Sequence, residues 1–242
     1  MKLELYNPSI FKDVFSCISH IIDECKVEYD NLGMKIRALD KSHITFVTID
    51  FKYTLFDSYE VPYPETIIID TDEFNKILRR CKNTDTLKME TSDGALEVTF
   101  EGDATKHYKI RLIDNDYETP ELPPLEMPVT ITVPSNIVKD SLADIKIFSE
   151  HLEIRVDEDY LTITGDGMKG SGEIKCLHGE HITEYVESKF SIEKLTDIFR
   201  CSKISETVKM NIGNAMPLTL TFELVSGDGE VSFLLAPRIE SE

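Results

Sequence analysis

The sequence is short of positive charge, of paired cysteines and of long apolar runs, and each shortage removes a class of function. Against 45 Asp and Glu it sets 26 Lys and Arg, a net charge of −19 over 242 residues. That balance excludes a protein that grips nucleic acid through a broadly basic surface. The five cysteines (Cys17, Cys25, Cys81, Cys176, Cys201) are odd in number and scattered, with no C-x-x-C. They read as free thiols in a reducing compartment. No apolar run approaches the ~20 residues needed to span a bilayer. Met1-Lys2-Leu3-Glu4-Leu5 has no basic-then-apolar signal pattern, and the single N-x-S triplet, Asn7-Pro8-Ser9, carries the forbidden proline. The expectation is an intracellular protein with no membrane partner.

What is present is enough apolar residue, 41%, for a packed core. The acidity is spread evenly. Residues 1–121 hold 15 basic and 24 acidic side chains, net −9, and residues 122–242 hold 11 and 21, net −10. The halves also repeat each other. The stretch Asp70–Met89 aligns with Ser191–Met210 at an offset of 121, with Ile77/Ile198, Arg79/Arg200, Lys82/Lys203, Thr86/Thr207, Lys88/Lys209 and Met89/Met210 identical. Pro8-Ser9 and Lys12-Asp13 recur as Pro134-Ser135 and Lys139-Asp140 with one residue inserted. A duplicated domain follows.

Each half reads as a short strand, a helix after Pro-Ser, alternating segments, a second helix and more strands. That order excludes a helical bundle and a βαβ parallel sheet, and points to an α+β fold with two helices packed on antiparallel sheet in each domain. Four prolines between Pro120 and Pro128 mark the boundary, giving domains at 1–118 and 128–242 with a connecting loop at 119–127. The 3.6-residue spacing puts Phe74, Ile77, Leu78 and Cys81 on one face of a helix and Lys76, Arg79 and Arg80 on the other, followed by Lys82. The repeat puts Arg200 and Lys203 on its polar side. The first helix of each half exposes Lys12, Ser16 and Ser19, and Lys139, Ala143 and Lys146, with Ser9 as a helix N-cap. Basic charge therefore collects on four helix faces of an acidic protein, a local positive surface inside a negative field.

Other patterns carry less. Gly165-Asp-Gly-Met-Lys-Gly170 fits G-x-G-x-x-G, but a strand-like segment follows it where a dinucleotide site needs a helix N-terminus. Ser9-x-x-Lys12 lacks the companion motifs of a serine acyl-enzyme. Cys176, His178 and His181 lack a fourth metal ligand. Asp40 and His43 form a possible acid–base pair without a nucleophile or oxyanion donor. No catalytic residue, metal or cofactor is expected.

Four stretches resemble a known family: Gly33-Met-Lys-Ile-Arg-Ala-Leu39-Asp40-Lys-Ser42-His43-Ile44, the Pro-rich linker, Ala215-Met-Pro217-Leu218, and Leu235-Ala236-Pro237-Arg238-Ile239-Glu240. They are similar to the sliding clamps of the archaeal and eukaryotic kind, the proliferating cell nuclear antigen (PCNA) family. The resemblance implies a DNA-clamp fold, a homotrimeric ring around duplex DNA, and a non-enzymatic processivity factor. In such a clamp a polymerase, clamp loader, flap nuclease and ligase dock through short peptides with a glutamine, an aliphatic residue and paired aromatics. It assigns sequence-blind DNA contacts to Lys12, Lys76, Arg79, Arg80, Lys82, Lys139, Lys146, Arg200 and Lys203. Asp13, Ser19, Asp140 and Ala143 stand where some relatives are basic, so a less positive hole is expected. The partner pocket falls on Leu39, His43, Ile44, Leu122, Pro123, Pro217, Leu234, Ala236 and Pro237. Subunit contacts fall on edge strands near 107–113 and 173–177, with Tyr108, Ile110, Leu112, Ile174 and Cys176. The alternatives are a subunit of a heterotrimeric ring and a small hydrolase using Asp40 and His43. The resemblance places the protein in the cytoplasm at the nucleoid if archaeal, or in the nucleus if eukaryotic.

Overall fold

A computed structural model describes residues 1–114 and 125–238. The first half runs β1 (Lys2–Leu5), α1 (Ser9–Ile18), β2 (Glu24–Tyr29), β3 (Gly33–Leu39), β4 (Thr45–Lys52), β5 (Ser58–Glu60), β6 (Glu65–Asp70), α2 (Thr71–Leu78), β7 (Thr86–Ser92), β8 (Ala95–Glu101) and β9 (Lys106–Arg111). The second runs β10 (Val129–Pro134), α3 (Ser135–Ile145), β11 (His151–Val156), β12 (Tyr160–Gly167), β13 (Gly170–Leu177), β14 (Val186–Ser191), α4 (Ile192–Ile198), β15 (Thr207–Ile212), β16 (Leu218–Glu223) and β17 (Gly229–Leu235). Apart from the short β5 the two orders are the same.

The chain forms two compact units. Unit 1 holds Met1–Lys41, Val47–Glu121 and Leu224–Val231; unit 2 holds Ser42–Phe46, Leu122–Glu223 and Ser232–Glu242. Unit 1 contains a sheet ordered β5-β1-β7-β8-β9 and the run β4-β3-β2-β6; unit 2 contains a sheet ordered β13-β12-β11-β14 and the run β10-β15-β16-β17. The strand pairs of these sheets, from β1 with β7 to β11 with β12, are antiparallel, and their registers repeat between the halves. Lys26 sits across from Arg37 in unit 1, and Glu153 across from Thr164 in unit 2, each shifted by the same 127 positions.

Alternation places the strands. β2 buries Cys25, Val27 and Tyr29; β11 buries Leu152, Ile154 and Val156. In unit 1, Phe11 and Phe15 of α1 lie 4.8 Å apart, and Phe15 meets Phe74 of α2 edge-on at 4.8 Å, locking the two helices together. In unit 2, Phe199 meets Phe222 edge-on at 5.6 Å. Gly33 is required at the β2–β3 turn: at φ +151 a Cβ there would fall 1.9 Å from the Phe51 carbonyl oxygen.

Two local expectations change. Ser9 is the first residue of α1 and not its cap; Pro8 holds the cap position without a side-chain bond, and Asn7 Oδ1 accepts the Ser9 N–H at 3.1 Å. The glycine-rich loop is the turn of the β12–β13 hairpin, with Gly167 across from Gly170, so no helix N-terminus faces it. Among the described residues no helix is long and apolar enough to cross a membrane.

Candidate functional site

Helix ends position the basic side chains. The Asp70 carboxylate caps α2 by accepting the Glu73 N–H at 2.7 Å, and Ser191 caps α4 in the same way from Lys194 N–H at 3.4 Å. Arg79, Arg80 and Lys82 follow the last turn of α2, Lys146 that of α3, and Arg200 and Lys203 that of α4, where cations also complement the helix dipole. Lys76, Arg79, Arg80, Lys82, Lys139, Lys146, Arg200 and Lys203 are all exposed. Lys76 pairs with Asp72 at 2.5 Å, Lys82 with Asp103 at 2.7 Å, and Arg200 with Asp197 at 3.1 Å. Arg79, Arg80, Lys139 and Lys146 have no carboxylate within ion-pair distance among the described residues, although Asp140 and Asp144 stand exposed on α3.

Lys12 departs from its expected role as an open basic contact. It is half-buried, and its ammonium donates to the Cys81 carbonyl and to Asn83 Oδ1 at 2.9 Å. Lys106 donates to the Arg80 carbonyl at 2.9 Å. Both cations satisfy carbonyls that the end of α2 leaves open.

The apolar group gathers in unit 2. Ile44, 39% exposed, accepts the Ala236 N–H on its carbonyl at 2.9 Å. The hydroxyls of Thr221 and Ser232, 2.9 Å apart, mark the β16–β17 register, and extending it sets Pro217 across from Ala236. Leu234, Ala236 and Pro237 are half-buried and His43 is exposed at φ +57, so these residues form a shallow apolar patch beside a strained, prominent loop. Lys194 pins that loop by donating to Ser42 Oγ at 3.0 Å. Leu39 belongs to unit 1, where it is half-buried. Leu122 and Pro123 lie outside the described residues.

The outermost strands of the unit 1 five-stranded sheet and the unit 2 four-stranded sheet include β9 and β13. Tyr108, Leu112, Ile174 and Cys176 are half-exposed there, the Tyr108 ring resting 5.3 Å from Phe100. Ile110 is a correction: at 2% exposure its side chain is spent on the unit 1 core, so only its backbone reaches the edge. Leu177, 65% exposed at the end of β13 and within the expected 173–177 edge, adds an apolar side chain to that edge.

The metal and acid–base readings dissolve. His178 is buried, with Nε2 3.0 Å from the Asp157 carbonyl oxygen and Nδ1 accepting the Glu180 N–H at 3.2 Å. Both ring nitrogens are occupied, and no metal-holding cluster exists among the described residues. Asp40 is 3% exposed while His43 stands in solvent, unlike environments for a working pair.

Residues 1–119 match the family described as proliferating cell nuclear antigen, N-terminal domain. Over 241 residues the chain is 46% identical to the DNA polymerase sliding clamp of Methanobrevibacter smithii, covering 100% of this chain and 99% of that one. It is 44% identical to the clamp of Methanothermobacter thermautotrophicus over the same shares. The crystal structure of PCNA from Thermococcus kodakaraensis superimposes with a TM-score of 0.91 at 26% identity, over 98% of this chain and 99% of that one. The chain belongs to the sliding-clamp family. That family comprises non-enzymatic processivity factors of DNA replication, and the hydrolase alternative falls with it.

Proposed function

We propose that this chain closes into a homotrimeric ring around duplex DNA and tethers a polymerase and other replication enzymes through short peptides. One observation carries the ring: the duplication makes β17 the counterpart of β9 and β4 the counterpart of β13. In unit 1, Lys52 N–H donates to the Asp228 carbonyl at 2.8 Å, and in unit 2, Ala236 N–H donates to that of Ile44, an antiparallel seam between counterparts of the two open edges. The burial patterns align Val47, Ile49 and Phe51 with Gly172, Ile174 and Cys176, and Phe233 and Leu235 with Tyr108 and Ile110. The same register between copies sets Tyr108 of one across from Gly172 of the next, where a missing side chain leaves room for the ring. Pairing would also hide edges that invite aggregation. Both outermost strands lie in one chain and match each other in register, which favours self-assembly over a heterotrimeric ring.

The basic helix faces supply phosphate contacts, led by Arg79 and Arg80, whose guanidiniums no carboxylate competes for among the described residues. Retention by a ring is topological, so a few weak contacts suffice. The Ile44–Pro217–Ala236 patch takes the apolar part of partner peptides.

The test is retention on DNA. Ring loaded by its clamp loader stays on closed circular DNA and is lost when that DNA is linearised; loss at equal rates from both forms overturns the reading. Arg79→Glu with Arg80→Glu lowers the slope of log affinity against log salt by about 2 without changing peptide binding. An Ile44→Glu variant does the reverse.

A further inference from the structure

Helix α2 is only 8 residues long and runs straight into Arg79 and Arg80, the two exposed arginines without a carboxylate partner among the described residues. Two turns of helix are marginal on their own, and the last carbonyls have no partner inside the helix. A glycine in the left-handed region is the common way to close such an end. It is absent here, and no residue from 79 to 85 has positive φ. Two lysines from other elements close the end instead. The Lys12 ammonium, from α1, donates to the Cys81 carbonyl and to Asn83 Oδ1 at 2.9 Å. The Lys106 ammonium, from β9, donates to the Arg80 carbonyl at 2.9 Å and stands 6.0 Å from the centre of the Phe100 ring. Phe100 is fully buried, so Lys106 is held between a rigid ring and the helix end.

The repeat lacks this clamp. Lys139 stands where Lys12 does, but it is exposed on α3 and bonds no carbonyl among the described residues. The alignment of Tyr108 with Phe233 sets Lys106 against Val231, which is buried and uncharged. The helix α4 runs instead into a 3-10 turn, Phe199–Lys203, where Arg200 pairs with Asp197. The fold alone therefore does not demand two lysines at a helix end; they occur where two unpaired arginines follow the helix. The local charge is also positive. Lys12, Arg79, Arg80, Lys82 and Lys106 stand with Asp13, Asp85 and Asp103, five cations against three acids. Lys82 pairs with Asp103 at 2.7 Å, and buried Asp85 accepts the Lys82 backbone N–H at 2.9 Å, so both acids are engaged away from the arginine guanidiniums.

We propose that Lys12 and Lys106 are positioning residues for the DNA contact: their ammoniums hold the end of α2 so that Arg79 and Arg80 meet backbone phosphates as a fixed pair. The phosphate contact itself rests on the function proposed above. Bonds to the Arg80 and Cys81 carbonyls fix the backbone directly behind both guanidiniums. A frayed end would spread the guanidiniums over many orientations, and ordering them on binding would cost affinity. Each lysine keeps its charge while it donates to a carbonyl. The negative terminus of the helix dipole is thereby turned into a positive surface.

Two measurements on the full chain decide. In the first, affinity for a short linear duplex at low salt is read by fluorescence anisotropy. Lys106→Met weakens it about threefold, and Lys12→Met, which leaves β9 untouched, does the same. In a chain already carrying Arg79→Gln and Arg80→Gln, adding Lys106→Met changes the affinity by less than about 1.5-fold, because the lysine acts through the arginines. A full additive loss in that background overturns the proposal, since it makes Lys106 a phosphate contact of its own. Unchanged affinity in both single lysine variants overturns it as well. In the second, amide hydrogen exchange is followed at Arg79, Arg80 and Cys81, whose N–H groups close the last turn onto the carbonyls of Asn75, Ile77 and Leu78. Both lysine variants exchange faster at these amides and at the original rate in β7 and β8. Unchanged exchange at the three amides overturns the proposal, and so does equal acceleration throughout unit 1, which is loss of fold and not of a cap. If the three amides respond while the double arginine variant binds duplex as well as the unaltered protein, the clamp stands and the DNA-face reading fails.

Discussion

Asp30 and Asp157 occupy the same place in the two repeats, and each closes a turn with its own carboxylate. Asp30 accepts the N–H groups of Leu32 and Gly33 at 2.7 and 3.1 Å; Asp157 accepts those of Tyr160 and Asp159 at 2.8 and 3.0 Å. The Leu32 N–H chiefly holds Asp30, and the Tyr160 N–H chiefly holds Asp157, below the ordinary carboxyl value of 3.8. A depressed folded value means that the stabilisation is complete above pH 3.8 and is lost as pH falls through the folded value beneath it. Carboxyl NMR titrations should therefore place both midpoints under 3.8. Asp157→Ala should cost about 1 kcal/mol in urea unfolding at pH 7, and Asp157→Asn, which keeps an acceptor oxygen, less. An Asp157 midpoint at or above the ordinary value would contradict the turn assignment. Tyr59 adds a second bond to the Asp30 turn, donating to the Asp30 and Gly33 carbonyls, and its phenol is pushed up to about 12, chiefly by burial.

At the scale of elements, the caps repeat as the turns do. Asp70 on α2 and Ser191 on α4 stand 121 positions apart, and removing either cap by substitution to Ala should cost about 1 kcal/mol, read as a lowered urea midpoint with unchanged slope. The helices, the alternating strands and the duplication were legible in the sequence because hydrophobic spacing is a local signal. The i, i+3, i+4 pattern of Phe74, Ile77 and Leu78 needs no partner to be read. What the spacing missed depends on other elements. Lys12 looks like any exposed helical lysine until the end of α2 arrives beside it and takes its ammonium. Ile110 sits in a strand whose neighbours Lys109 and Arg111 are charged, so the pattern cannot say that its alternate face is core. Ser9 follows a proline, a common cap signature, but the helix begins one residue earlier than that signature implies.

At the scale of the molecule, acidity and DNA binding reconcile through placement. The strands and loops carry most of the acid, while cations without carboxylate partners among the described residues gather after α2 and on α3. In a ring with helices lining the hole, the outside repels the duplex and the hole tolerates it. Assembly of the proposed ring depends on the Tyr108 phenol of one copy meeting a bare Gly172 of the next. Tyr108→Ala should shift the protein toward monomer while the units stay folded, because Tyr108 is half-exposed in the single chain. Gly172→Phe should do the same, and circular dichroism unchanged from the unaltered protein would separate lost assembly from lost folding. The most direct measurement is the solution mass at micromolar concentration by light scattering. The account predicts three times the 27.6 kDa chain mass, falling toward 27.6 kDa in Tyr108→Ala. A mass of 27.6 kDa for the unaltered chain at every concentration tested would contradict it.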